Sequence, residues 1–127
     1  MKRTVFITAT DTEVGKTVTT AAIGLALQEQ CSVGVMKPVQ CAGDDARFLK
    51  EKLRLEDDLS DINPYFAKEP LSPHLAFSRQ KIQVNIQTIL SKLKKLQHKY
   101  DVVLVEGAGG VLVPITDQYW MIDLMED

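Results

Sequence analysis

The stretch Ala9-Thr10-Asp11-Thr12-Glu13-Val14-Gly15-Lys16-Thr17 decides how this chain reads. It follows an apolar run, Thr4-Val5-Phe6-Ile7-Thr8, that predicts a buried strand. It precedes residues 18–30, which predict a helix. In a strand, Gly-Lys-Thr turn and helix laid out in this order, backbone N–H groups and a helix N-terminus converge on a phosphate. The Lys then meets the β- and γ-phosphates, and the Thr hydroxyl is a ligand for Mg²⁺. The usual pattern has a first Gly at the position of Thr10. The tripeptide Gly15-Lys16-Thr17 therefore carries the reading through its context between strand and helix.

Beyond the turn, Val18, Ala21, Ala22, Leu25 and Ala26 recur at helical spacing, and the small ones suit close packing on a sheet. Gly24 costs such a helix about 1 kcal/mol against Ala, which close packing would explain. Residues 32–37 predict a second strand, halted by Pro38. Strand, helix, strand implies a parallel sheet with a right-handed crossover. Ligands of such sheets bind beyond the C-terminal ends of the strands, so Lys37 and the Gly-Lys-Thr turn should face one crevice. A strand-end lysine is otherwise simply solvated. Residues 40–43 read as a loop and Asp44-Asp45 as the start of a helix. The two acids read equally well as capping and dipole groups or as a carboxylate turned to the crevice and available to Mg²⁺.

Residues 56–60 read as polar loop and Asn63-Pro64-Tyr65-Phe66 as a turn or short extended piece. Ser72-Pro73 reads as a cap and first helical residue. His74 stands alone, without zinc-ligand spacing around it. Residues 85–100 form the clearest helix, with Ile86, Ile89, Leu90, Leu93 and Leu96 on its apolar face. Lys92, Lys94, Lys95 and Lys99 read as its solvated face. Residues 101–106 predict another buried parallel strand, ending in Glu106 where many phosphate-loop proteins place a metal-coordinating acid. Gly107-Ala108-Gly109-Gly110 permits close backbone approach to a ligand. Residues 111–115 read as a short extended piece and 120–126 as the start of a helix. An open sheet of this kind usually continues through further strand–helix units, so the expectation is a fragment or a protein completed by another chain.

The 127 residues suffice for one domain with a real core. A net charge of −2 without a basic stripe argues against nucleic acid as partner. No apolar run is long enough for a bilayer, and no signal peptide follows Met1-Lys2-Arg3. Cys31 and Cys41 are too few for a disulfide framework or metal knuckle. The expectation is a cytoplasmic protein with no membrane partner.

These segments together resemble ATP-dependent dethiobiotin synthetase, of the P-loop NTPase superfamily. The resemblance rests on residues 10–17, on Lys37-Pro38-Val39, on Asn63-Pro64-Tyr65, on Glu69-Pro70-Leu71-Ser72-Pro73-His74 and on Val105-Glu106-Gly107-Ala108-Gly109-Gly110, in that order. It covers nearly all of this chain but about the first half of a typical family member. It implies a three-layer α/β/α fold with a mainly parallel sheet, truncated at its C-terminus, with residues 1–127 as a single domain. The implied reaction joins CO₂ to 7,8-diaminopelargonic acid and closes a cyclic urea with ATP and Mg²⁺, in biotin biosynthesis and in a homodimer. Carried over, Glu13, Val14, Gly15, Lys16, Thr17 and Val18 wrap the ATP phosphates. Thr17, Asp45 and Glu106 hold Mg²⁺. Lys37, with Lys16, is the catalytic lysine. Thr12, Lys37 and Cys41 flank the substrate, and Glu106, Gly107, Ala108 and Gly109 line the phosphate and substrate crevice. Cys41 stands where the family commonly has Ser or Thr, which are stronger hydrogen-bond partners. Two other readings share the loop type: an amidoligase of cobalamin synthesis, against which residues 63–65 and 69–74 speak, and a nucleotide-holding regulatory module without turnover.

Overall fold

The computed structural model describes residues 3–8, 15–108, 115 and 121–126, with side chains at 123–125 of the last segment. In chain order the elements are β1 (Arg3–Ile7), α1 (Lys16–Leu27), β2 (Val33–Met36), β3 (Val39–Cys41), α2 (Asp45–Lys52) and α3 (Leu59–Ile62). They continue with β4 (Tyr65–Ala67), α4 (Pro73–Arg79), α5 (Ile86–Lys99), β5 (Val102–Glu106) and α6 (Met121–Glu126). The extended piece expected over residues 111–115 lies, apart from Ile115, outside the described residues.

The main sheet is parallel throughout, in the order β1-β5-β2. Among the described residues the last strand thus lies between the first two. Ile7 pairs with Glu106 on one side of β5, and Met36 with Val105 on the other. Side chains alternate between the two faces, as strand geometry requires. Met36, Val103 and Val105 pack with Phe77 of α4 and with Ile89 and Leu96 of α5. Val33, Val35 and Leu104 pack on the opposite face with Ala21 of α1 and with Leu49 and Leu53 of α2. Helices on both faces make the expected three-layer α/β/α arrangement with a parallel sheet.

Two expectations about burial are corrected. β1 is not buried along its length: Arg3, Thr4 and Val5 are exposed, Val5 to 41%. Among the described residues it is an edge strand, paired to β5 alone. In α1 the buried residues are Thr20, Ala21 and Gly24, while Val18 and Leu25 are 68% and 46% exposed. The helix is apolar on most sides, so spacing could not choose its inner face. Close approach at Gly24 chose it. A Cβ there would stand 2.9 Å from the Leu53 methyls.

Three local readings are refined. Val39–Cys41 is a strand rather than a loop, because it pairs in parallel with β4, Val39 beside Tyr65 and Cys41 beside Ala67. α3 begins inside the polar run at Leu59. The lysines of α5 are not merely solvated. Lys92 and Lys95 donate to Asp61 at 3.3 and 2.7 Å, and Lys99 donates to Asp57 at 3.0 Å. The helix itself starts as expected, with Asn85 Oδ1 accepting from the Gln87 N–H at 2.9 Å. No helix among the described residues is long and apolar enough to cross a membrane.

Hydrogen bonds from Lys95, and then Lys92, hold the Asp61 carboxyl below the ordinary carboxylate range against the opposing effect of burial. A depressed carboxyl stabilises the fold above its unfolded value of about 3.9, and that gain disappears as pH falls through the folded value. Lys95 is 66% exposed, so its contribution is screened by water. Asp61→Asn is therefore expected to lose about 1 kcal/mol at pH 7. In urea melts the gap between its curve and the wild-type curve should narrow as pH falls below about 3.9. A gap that persists unchanged in acid would show that the carboxylate charge is not the source.

Candidate functional site

The C-terminal ends of β1, β5 and β2 lie side by side, and each delivers a polar group to the same place. Gly15 caps α1 in the left-handed region, at φ 90° and without a side-chain cap bond. Glycine alone enters that region without a steric penalty. It leads directly into Lys16 and Thr17, the first residues of the helix. At the end of β5, Glu106 is fully buried and its Oε1 accepts from Thr17 Oγ1 at 2.7 Å. The Gly107 N–H donates to the Ile7 carbonyl at 3.0 Å, carrying the β1–β5 ladder one residue further.

Lys37 follows β2, and its backbone is fixed on both sides of the peptide. Its N–H donates to the Ile62 carbonyl at 2.7 Å, and its carbonyl accepts from Asn63 Nδ2 at 2.7 Å. The Lys37 side chain, 5% exposed, reaches between two carboxylates. Nζ lies 3.2 Å from Glu106 Oε2 and 3.1 Å from Asp45 Oδ2. A buried ammonium requires such partners. Of the two readings of Asp45, the structure therefore supports the one that turns it into the crevice. Its neighbour Asp44 occupies the N-cap of α2 without a side-chain cap bond.

Thr17, Glu106, Lys37 and Asp45 thus form one continuous hydrogen-bonded and ion-paired chain across three strand ends. Lys16 adds a second cation. Burial, followed by repulsion from Lys37, pushes its pKa down, while Glu106 and Asp45 counteract this. Cys41 is half-buried at the end of β3. Burial pushes its thiol up to about 11, despite the opposing charge of Lys37. It is a neutral thiol at pH 7 and not an activated nucleophile.

Two of the expected contact residues sit differently from the rest. Val18 is largely exposed on the first turn of α1, so any part it takes in wrapping a ligand comes from its backbone. Ala108 is partly buried just beyond Gly107. Thr12, Glu13, Val14 and Gly109 lie outside the described residues. Among those described, no group of three His, Cys, Asp or Glu side chains gathers as a metal site. Thr17, Asp45 and Glu106 nevertheless offer one hydroxyl and two carboxylates. These hard oxygen donors suit Mg²⁺, and the ammonium of Lys37 already draws the two carboxylates around a single positive charge.

Residue-by-residue reading missed two supporting amides. Asn63 holds Lys37 and also donates to the Tyr65 carbonyl at 2.9 Å. Gln40, only 3% exposed, is bonded to the loop before Asp45. The local signal for Gln40 was its place beside Cys41 and the Ala42-Gly43 turn.

A parallel three-layer sheet with a Gly-Lys-Thr helix start and a carboxylate at the neighbouring strand end is a P-loop NTPase-like domain. Residues 3–127 match the family described as "AAA domain", and the chain belongs to that family. Among curated proteins it is similar to "ATP-dependent dethiobiotin synthetase BioD" from several organisms. The one from Methanocaldococcus jannaschii is 41% identical over 128 residues, covering 96% of this chain and 60% of the relative. The one from Methanococcus vannielii is 37% identical over 124 residues, covering 96% and 59%. The Vibrio vulnificus protein (strain YJ016) is 39% identical over 128 residues, covering 92% and 56%. The resemblance is thus to the N-terminal portion of dethiobiotin synthetase, and the chain spans between 56% and 60% of the length of these relatives.

Proposed function

We propose that this chain carries the phosphate, metal and carbamate side of a dethiobiotin synthetase, as one P-loop domain over residues 1–127 that forms part of a longer family domain. The observation that supports it most is Lys37, buried between Asp45 and Glu106 with Thr17 on the far oxygen of Glu106. The substrates are ATP, CO₂ and 7,8-diaminopelargonic acid. One amine of the acid takes up CO₂ as a carbamate. A carbamate oxygen attacks the γ-phosphorus and ADP leaves. The second amine then attacks the carbamate carbon, phosphate departs and the ureido ring closes.

Negative charge gathers on the carbamate and on the transferring phosphoryl group, so the site needs fixed cations more than a protein nucleophile. Lys16, with the backbone of residues 13–18, holds the β- and γ-phosphates. Lys37 exchanges its carboxylate partners for carbamate and γ-phosphate oxygens. Thr17, Asp45 and Glu106 would hold Mg²⁺, which neutralises phosphate charge when bound. Thr12 and Cys41 flank the substrate, and residues 106–109 line the crevice. The neutral Cys41 thiol offers the carbamate only a weak hydrogen bond. The longer protein is a homodimer in the reducing cytoplasm, a setting in keeping with the free thiols of Cys31 and Cys41.

The test is dethiobiotin formation from diaminopelargonate, bicarbonate, Mg²⁺ and ATP. The expected result is product from the longer wild-type protein and loss of turnover, about 100-fold or more, in its Lys16→Ala and Lys37→Ala variants, with circular dichroism of both unchanged. Near-normal turnover in both variants overturns the residue roles. Mg-ATP binding with no product at all from the longer protein would replace the enzyme reading with a nucleotide-holding module. Protection by a corrinoid acid, and not by diaminopelargonate, would move the chain to the cobalamin-pathway amidoligases.

A further inference from the structure

The loop that carries Asp45 into the crevice is unusual in what caps it. Ala42 and Gly43 stand in succession in the left-handed region, at φ 63° and 75°. For Ala this conformation persists only where its surroundings enforce it. The Ala42 N–H donates to the Ala67 carbonyl at 2.7 Å, and one side chain holds the carbonyls of the turn. Gln40 Nε2 donates to the Ala42 carbonyl at 3.1 Å and to the Gly43 carbonyl at 2.7 Å. Gln40 Oε1 accepts from the Ala46 N–H at 3.0 Å. Every hydrogen-bonding direction of this buried amide except one acceptor lone pair is thereby used within six residues.

The bond to Ala46 matters most. Ala46 is the second residue of α2, and its N–H is one of the donors that an Asp at the N-cap ordinarily satisfies. Asp44 holds the N-cap position yet makes no such bond. Gln40 has taken it over from the neighbouring strand. With that donor already satisfied, the Asp45 carboxylate is not needed at Ala46 and extends to Lys37 Nζ at 3.1 Å. We propose that Gln40 is the positioning residue for Asp45: it caps α2 from β3 and fixes the 42–44 turn, so that the Asp45 carboxylate is delivered to the metal and phosphate side of the crevice. This inference rests on the function proposed above.

The experiment pairs amide hydrogen exchange with Mg²⁺-dependent binding of a fluorescent ATP analogue to the chain. The wild type comes first: without Mg²⁺-dependent binding there, the proposed function itself fails before any variant is made, and the inference falls with it. In Gln40→Met, exchange at Ala46 should quicken at least tenfold while Val103–Val105 keep their protection. The Mg²⁺ concentration for half-maximal binding should rise about tenfold, the low end of what lost supporting contacts around a metal site produce. Mg²⁺-free binding of the analogue should stay within twofold. Asp45→Asn should show the same Mg²⁺ defect, and the double variant should be no worse than Asp45→Asn.

Faster exchange at Ala46 with an unchanged Mg²⁺ requirement would overturn the proposal, leaving Gln40 as loop support alone. An additive double variant would overturn it as well, because the two residues would then act separately. If Gln40→Met does not fold, Gln40→Glu decides, since it keeps the acceptor for Ala46. Retained Ala46 protection with a near-wild-type Mg²⁺ response supports the proposal. Retained protection with the response lost overturns it.

Discussion

Glu106→Gln is expected to lower the stability of the chain by about 2–3 kcal/mol and to weaken Mg²⁺-dependent nucleotide binding at least about 100-fold. Glu106 is fully buried, and its two oxygens receive Thr17 at 2.7 Å and Lys37 at 3.2 Å. Gln keeps the shape and can still accept from Lys37, while its amide can donate to the Thr17 hydroxyl. The charge is what disappears. Lys37 would then be left in a buried site with only Asp45, whose side chain is 44% exposed and correspondingly screened by water. Removing one partner of a buried pair leaves the other uncompensated, which is the expensive half of any such change. The larger functional effect follows because, on the function proposed above, a direct metal ligand is lost rather than a supporting contact. Urea melts without Mg²⁺ and Mg²⁺ titrations with an ATP analogue measure the two effects separately. A variant that melts like the wild type and keeps its Mg²⁺ response would remove Glu106 from the site.

Gly34→Ala should cost about 2–3 kcal/mol, near the top of the range for overpacking a well-filled interior. The added Cβ would lie 2.3, 2.7 and 2.9 Å from Cδ2, Cε2 and Cγ of Tyr100. Those atoms include the root of the ring, so a swing of its tip does not relieve the clash. The ring is also tethered at both ends. The Tyr100 N–H donates to the Leu96 carbonyl at 2.9 Å, and its hydroxyl donates to Asp57, which also accepts from Lys99 at 3.0 Å. Burial and that carboxylate push the phenol up to about 12, so it remains a donor throughout the neutral range. Combining Gly34→Ala with Tyr100→Leu should recover much of the loss, because the clash that defines the single variant is then absent. Strictly additive losses in urea melts would show that β2 and the end of α5 do not meet in this way.

Gly34 and Tyr100 also show where sequence reading stops. The helix over residues 85–100 was legible from the spacing of Ile86, Ile89, Leu93 and Leu96. Nothing local placed its last turn over Gly34, since the two residues are far apart in the chain. α1 shows the same limit. Its start was legible at Gly15-Lys16-Thr17, but apolar residues on most of its sides left the inner face undetermined until Gly24 met Leu53. The lysines of α5 looked like a solvated face because Asp57 read as loop and nothing local paired Asp61 with a distant helix.

By itself the sequence determined the chemistry available: a Gly-Lys-Thr helix start, a lysine after one apolar strand, a glutamate closing another, and an acidic pair opening a helix. Each depends on local signals, namely strand and helix periodicity and the residue types at their ends. The tertiary structure decided which of these groups meet. By placing β5 between β1 and β2, it set Glu106 beside both Thr17 and Lys37. Strand order depends on how the two faces of the sheet are covered by helices distant in the chain, and no single strand carries that information. Asp45 joined the cluster for a similar reason. Gln40, on a strand that exists only because it pairs with β4, took over the capping of α2.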